Sequence, residues 1–80
     1  MIIKVITKGS SYRITQEDGI YQFDRGISLK GKIERLNWDI RIGGRLCFDF
    51  RKQLENGGFE KKVTRLTSDI IKGIIIIPSK

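Results

Sequence analysis

Apolar and polar residues alternate in short runs along most of the chain, and polar segments that contain glycine separate these runs. Alternation with a period of two is typical of half-buried strands, and closely spaced turn signals are typical of antiparallel strands joined by hairpins. The pattern predicts an all-β fold, in which an antiparallel meander forms a small barrel-like domain (SH3/OB-like) or two packed sheets. The turn segments lie at 8–11, 17–19, 25–26, 43–44 and 55–58.

The first two hairpins have registers that bring apolar residues opposite each other. A turn at 9–10 pairs Val5 with Ile14, and a turn at 18–19 pairs Ile14 with Phe23. Because the side chains of paired residues share a face of the sheet, these three residues form one apolar row across three strands. We expect that face to line the core and the opposite face to be solvated.

The segment "NWDIRIGGRLCFDFR" at 37–51 also predicts a hairpin. A three-residue turn at 43–45, where glycine can adopt a positive φ, places the apolar residues of both arms on one continuous face. We expect Trp38, Phe48 and Phe50 to face the core on these arms. The pairs are Ile42 with Leu46, Ile40 with Phe48 and Trp38 with Phe50.

The same register sets Asp39 opposite Asp49 on the outer face, with an arginine within reach of each carboxylate. Two carboxylates can share a proton or bind a metal, but neighbouring guanidinium groups keep both ionised. We therefore expect exposed ion pairs and no metal site. Cys47 lies on the same face, and the chain contains no histidine that could activate it. The sequence predicts no catalytic residue and no cofactor.

A basic hairpin that protrudes from the domain is predicted at about 51–62, around the turn signal "NG" at 56–57. Its register sets like charges opposite each other, which destabilises a sheet. We interpret this as a surface that contacts an anionic partner; alternatively, the charges keep an exposed hairpin soluble and unpaired. The opposed pairs are Lys52 with Lys61 and Arg51 with Lys62. The residues expected to contact anions are Arg45, Arg51, Lys52, Lys61, Lys62 and Arg65.

Residues 27–36 leave two structures open. A strand bent at Gly31 would carry Ile27, Leu29 and Ile33 on one face. A short helix over "KIERL" is the alternative, because these residue types favour helices. The strand fits the alternation better.

The run from Ile70 to Ile77 is the most apolar part of the chain, but it is far too short to span a membrane. β-Branched residues on both faces predict a strand buried on both sides, or one whose outer face meets a second copy of the chain. We favour closure of a small barrel over dimerisation. The first ten residues do not have the pattern of an export signal, so we expect a cytoplasmic protein with no membrane partner.

Sixteen lysines and arginines against nine acidic residues give a formal net charge of +7. Such an excess is typical of proteins with an anionic partner, here a nucleic acid, a nucleotide or an acidic surface of another protein. Outward-facing aromatic rings would allow base stacking. Trp38, Phe48 and Phe50 are assigned to the core. The stacking candidates are therefore Tyr12 and Tyr21, which lie near the sheet ends.

The order of the segments "GSSYRI", "WDIRIGGRLCF" and "TRLTSDII" resembles that of short β proteins of unassigned function from bacteriophage and prophage genomes. The resemblance implies an accessory phage protein that acts by binding in a bacterial host cell. It assigns no role to any residue. The basic segment at 51–62 departs from the pattern.

The sequence thus predicts a non-catalytic protein whose basic β-surface binds an anionic partner, with nucleic acid preferred. The alternative is a phage-encoded inhibitor of a bacterial defence system. Such an inhibitor would bind a host effector protein or sequester a nucleotide signal, in a pocket built by oligomerisation through the Ile70 to Ile77 strand.

Overall fold

Six antiparallel strands close into a small barrel in this computed structural model, which describes residues 1–78. Each strand pairs with the next along the chain, and the last pairs with the first. The predicted all-β meander is confirmed, and of the two architectures left open the chain adopts the barrel. The strands are β1 (Ile2–Thr7), β2 (Ser11–Glu17), β3 (Ile20–Arg25), β4 (Leu29–Leu36), β5 (Arg45–Lys52) and β6 (Thr64–Ile77).

Three phenylalanine rings meet edge to face in the barrel interior. The ring centroid of Phe23 lies 4.6 Å from that of Phe48 and 4.8 Å from that of Phe50. Full burial of a side chain of this size contributes about 1.5–3 kcal/mol. The predicted core positions of Phe48 and Phe50 are confirmed. The buried apolar residues are Ile3, Val5, Tyr12, Ile14, Phe23, Ile33, Leu46, Phe48, Phe50 and Ile71.

The hairpin between β2 and β3 has the predicted register. Asp18 and Gly19 both have a positive φ, 53° and 76° respectively. A two-residue type I′ turn requires this conformation at both positions, and asparagine, aspartate and glycine tolerate it best. Ile14 pairs with Phe23 as expected.

The hairpin between β1 and β2 is shifted by two residues from the prediction, so that Val5 pairs with Tyr12 instead of Ile14. The turn closes earlier, because the backbone N–H and the hydroxyl of Thr7 both donate to the Ser10 carbonyl, at 2.8 and 3.0 Å. A shift of two residues preserves the face on which each side chain lies. The inward positions were therefore assigned correctly despite the wrong register.

Residues 37–44 connect β4 to β5 and do not form the predicted strand. β4 itself lies beside β5, with Ile33 opposite Phe50 and Leu36 opposite Phe48. Because β5 has β4 on one side and β6 on the other, neither of its edges is left for another strand.

The expectation that Trp38 faces the core is wrong, because its side chain is carried by this connection. Trp38 is 54% exposed and packs edge-on against Tyr21, with 5.2 Å between ring centroids. Ile42, also expected on the inner face, is 67% exposed. Ile40 alone of the three apolar residues between 37 and 44 packs against the core.

The connection between β5 and β6 contains the predicted turn at 56–57, but the hairpin around it is short. The Leu54 N–H donates to the Gly58 carbonyl at 2.7 Å. A single bridge joins Gln53 to Phe59, whereas the predicted register, with Lys52 opposite Lys61, would set Leu54 opposite Phe59. The predicted register is therefore wrong by one residue.

The like-charge pairs predicted for this hairpin do not form. Glu60 instead of Lys61 lies opposite Lys52, and its N–H donates to the Lys52 carbonyl at 2.9 Å. The Arg51 guanidinium, expected opposite Lys62, donates to the backbone carbonyls of Glu60 and Lys61. The observed register avoids the repulsion that the predicted one would carry. The segment is basic, but it is not an extended two-stranded ladder.

The strand interpretation of residues 27–36 is confirmed for β4. At Gly31 this strand passes so close to β5 that an added Cβ would lie 2.5 Å from the Arg51 carbonyl oxygen. The chain turns outward just before β4, where Gly26 has a φ of 66°. Ile27, expected on the inner face with Leu29, is consequently 97% exposed.

β6 closes the barrel, because its first half pairs with β5 and its second half with β1. The predicted closure by this strand is confirmed. Its burial on both sides is not, since Ile71 is fully buried while Ile75 and Ile77 on the outer face are 48% and 43% exposed.

Candidate anion-binding surface

The three arginines predicted to contact anions are held by acceptors of the protein itself. Arg51 and Arg65 each bind a carboxylate, which offsets their charge, whereas Arg45 donates to a neutral backbone carbonyl and is fixed in position with its charge retained. The acceptors are the Ser68 carbonyl for Arg45 (3.0 Å), the Glu34 carboxylate for Arg51 and the Asp49 carboxylate for Arg65 (2.9 Å).

Asp49 and Arg65 stabilise each other's charged forms. The hydrogen bond from Arg65 holds the pKa of Asp49 below its ordinary value of 3.8, and the positive charges of Arg65 and Arg35 act in the same direction. The same hydrogen bond raises the pKa of Arg65. Both groups therefore remain ionised at neutral pH, and Arg65 is committed to this contact.

The three lysines predicted to contact anions are exposed, and none of them makes an ion pair with a residue between 1 and 78. The ion pairs of this part of the chain use arginine in every case. Lys52, Lys61 and Lys62 thus present their full charge to solvent. The pairs are Arg13 with Asp24, Arg41 with Asp39, Arg51 with Glu34 and Arg65 with Asp49.

The two predicted stacking residues are not both accessible. Tyr12 is 4% exposed and belongs to the core, so its prediction as a stacking residue is wrong. The two-residue shift between β1 and β2 pairs it with fully buried Val5. Tyr21 is half-buried and contacts Trp38, which gives one accessible aromatic pair at the surface.

Asp39 and Asp49 do not lie opposite each other as predicted, because residues 37–44 are not a strand. The Asp39 carboxylate lies 3.9 Å from Arg41 Nε, and Asp49 is held by Arg65. Each carboxylate has an arginine partner, as expected, and the partner of Asp49 comes from β6. Cys47 is half-buried in β5.

A groove of about 600 Å³ crosses the outer face of the barrel, and sequence reasoning missed it. Lys4 pairs with Arg13 across β1 and β2. Asp24 pairs with Arg13 on one side and with Lys30 on the other. Arg13 Nε lies 3.0 Å from Asp24 Oδ2, and this ion pair leaves Lys4 and Lys30 as net positive charges at the two ends of the row.

The walls of the groove carry apolar side chains beside these charges. Ile6 and Ile75 lie on the outer face of β1 and β6, and Ile27 overhangs the groove from the β3–β4 connection. Isoleucine side chains in contact with water favour a ligand that buries them. The groove is therefore suited to a ligand with both anionic and apolar parts.

A second depression of about 330 Å³ adjoins the groove and shares Ile27 and Lys30 with it. The Gln53 N–H donates to the Lys30 carbonyl at 2.9 Å and holds the β5–β6 connection against β4. Lys52 lines this depression. Gln53, Leu54 and Glu55 of the same segment line it as well, and Lys52 is the predicted anion-contacting residue among them.

Comparison of the chain with protein-family models, with curated proteins and with solved structures finds no match in any of the three. The resemblance to phage β proteins therefore stays a prediction. Between residues 1 and 78, no helix has the length and apolar character needed to cross a membrane.

Proposed function

We propose that this chain is a non-catalytic binding protein whose basic outer surface binds an anionic partner, with nucleic acid preferred. The proposal rests on a difference between the two kinds of cation. Every ion pair within residues 1–78 uses an arginine, and the lysines of these residues have no carboxylate partner. These lysines are Lys4, Lys8, Lys30, Lys32, Lys52, Lys61, Lys62 and Lys72.

Lysine is suited to phosphate contacts of low geometric demand, because its ammonium group is a compact charge on a flexible stem. A protein that neutralises phosphates releases their condensed counterions, so its affinity falls with salt concentration. The slope of log K against log salt is negative, and each phosphate contact increases its magnitude by about 0.7 for a single strand and about 0.9 for a duplex. The slope thus counts the lysines engaged.

The test is a fluorescence anisotropy titration of a labelled 20-nucleotide single strand and of its duplex at several salt concentrations. The double variant Lys61→Glu with Lys62→Glu is compared with the control Lys8→Glu with Lys72→Glu, which has the same net charge but changes lysines outside the basic segment at 51–62. We expect the Lys61 and Lys62 variant to reduce the magnitude of the slope for the single strand by about 1.4. The control variant should have a slope near that of the unchanged protein.

The proposal would be refuted if the protein bound neither the single strand nor the duplex at 50 mM salt. Equal effects of the two double variants would show that only the net charge of the protein matters. Lys61 and Lys62 would then be excluded as specific contacts of the nucleic acid.

A protein partner is the second candidate function, in line with an inhibitor that occupies a host protein. The exposed isoleucines favour it, with Ile27, Ile42 and Ile76 each more than half exposed. Exposed apolar side chains mark protein interfaces when they form a contiguous patch. An affinity that is insensitive to salt would favour this candidate over nucleic acid.

A further inference from the structure

From the groove and the adjoining depression we infer a binding path for a single-stranded nucleic acid, with bases against the isoleucines and phosphates against Lys4, Lys30 and Lys52. The inference rests on the proposed function and names the form of its ligand. It uses Lys4, Lys30 and Lys52, none of which is changed in the double variant of Lys61 and Lys62.

The charges of the path follow the outer face of the barrel from β1 to β4. Lys4 on β1 and Lys30 on β4 are three strands apart, which at about 4.8 Å per strand is about 14 Å along the curved sheet. Arg13 and Asp24 neutralise each other between them. The row therefore offers separated positive charges, which fits a flexible chain of phosphates better than one compact anion.

The path continues beyond the barrel face. Ile27 and Lys30 line both depressions, and the Gln53 N–H donates to the Lys30 carbonyl, which holds the β5–β6 connection beside them. A ligand that leaves Lys30 meets Lys52 next. The two depressions thus form one continuous surface across the β3–β4 connection.

The apolar walls distinguish a single strand from a duplex. A duplex directs its phosphates outward and keeps the faces of its bases stacked inside, whereas a single strand exposes base faces that can pack on side chains. Ile27 is 97% exposed in the middle of the path. A duplex would gain nothing from this side chain, and a single strand would cover it.

An extended acidic peptide shares the anionic and apolar character, but the barrel is less suited to it. Peptides commonly bind β proteins by adding a strand to a free sheet edge. Along the groove, Lys4, Arg13 and Asp24 are each paired with a residue on both sides, so no free sheet edge is available there. A peptide would have to bind through side chains alone.

The experiment measures the binding of a labelled ten-nucleotide oligo-dT, of the oligo-dA·oligo-dT duplex and of a (Glu-Leu)₅ peptide to the whole chain. Ile27→Ser is compared with Ile42→Ser, a matched control in which another exposed isoleucine outside the path is replaced. We expect Ile27→Ser to weaken oligo-dT binding about fivefold to tenfold, as the loss of part of a buried side chain implies, with duplex binding unchanged.

Lys30→Gln provides a second readout, since it should reduce the magnitude of the slope of log K against log salt for oligo-dT by about 0.7. Thermal unfolding of each variant confirms that the barrel is intact. Equal affinity for oligo-dT and duplex together with no effect of Ile27→Ser would overturn the inference and leave the proposed function standing. Tighter, Ile27-dependent binding of the peptide would overturn it in favour of an acidic protein segment. Binding of none of the probes would sink both.

Discussion

Replacement of Gly31 by alanine tests whether the close approach of β4 to β5 is required for the barrel. An added Cβ would lie 2.5 Å from the Arg51 carbonyl oxygen, 3.0 Å from Phe23 Cε1 and 3.1 Å from Phe50 Cδ2. The carbonyl belongs to a paired strand and both rings belong to the core. None of the three neighbours can move aside without disturbing other contacts.

Inserting a methyl group into a well-packed site costs about 1–3 kcal/mol. Since the closest neighbour of Gly31 is backbone, we expect the upper end of this range, about 3 kcal/mol in the free energy of unfolding. For a domain of this size, 1 kcal/mol corresponds to about 4–8 °C in Tm. Gly31→Ala should therefore lower Tm by about 12–24 °C.

The measurement is urea and thermal unfolding monitored by circular dichroism. Gly73→Ala is the matched control, because Gly73 is also a strand glycine and an added Cβ would lie 3.7 Å from its nearest neighbour, Ile6 Cδ1. We expect that control to change stability by less than about 1 kcal/mol. A fall in Tm of less than about 4 °C for Gly31→Ala, no larger than that of the control, would refute the reasoning.

Two further predictions concern single contacts. The pKa of Asp49 is lower in the folded chain than its ordinary value of 3.8, so the contribution of its pair with Arg65 is present at neutral pH and is lost as the pH falls through the folded pKa. Asp49→Asn should accordingly lower Tm at pH 7 and converge with the unchanged protein in acid; a constant difference at all pH values would contradict this. Trp38 is half exposed and packs against Tyr21, so Trp38→Ala should cost about 1 kcal/mol in urea unfolding, and a loss above about 3 kcal/mol would show that Trp38 belongs to the core.

The alternation of residue types was sufficient to predict the fold class and the inner positions of β1, β2, β3 and β5. It could not predict which strands are neighbours in the middle of the chain. The apolar residues at 38–42 alternate with polar ones as regularly as those of β4 do. Both segments compete for the same edge of β5, and only this competition decides which of them forms the neighbouring strand. That competition is settled by packing of Ile33 and Leu36 in three dimensions.

The candidate site was predictable in part. The exposed lysines of the β5–β6 connection follow from composition, whereas the row across the barrel depends on the register between β1 and β2. The predicted register sets Lys4 opposite Thr15, and the observed one sets it opposite Arg13. Two hydrogen bonds from Thr7 to the Ser10 carbonyl decide this difference, and no pattern of apolar residues reveals them.

Closure by β6 has a consequence for how the chain reaches its native state. Ile2 pairs with Ile77, so residues near opposite ends of the described chain must meet before the last ladder forms. Contacts between distant segments carry a large loop-closure entropy and slow the search for the folded state. During synthesis on the ribosome, β1 through β5 emerge first and wait with one open side until β6 follows. Until β6 has emerged, the phenylalanine cluster is covered only by β1 through β5 and is open to solvent on one side.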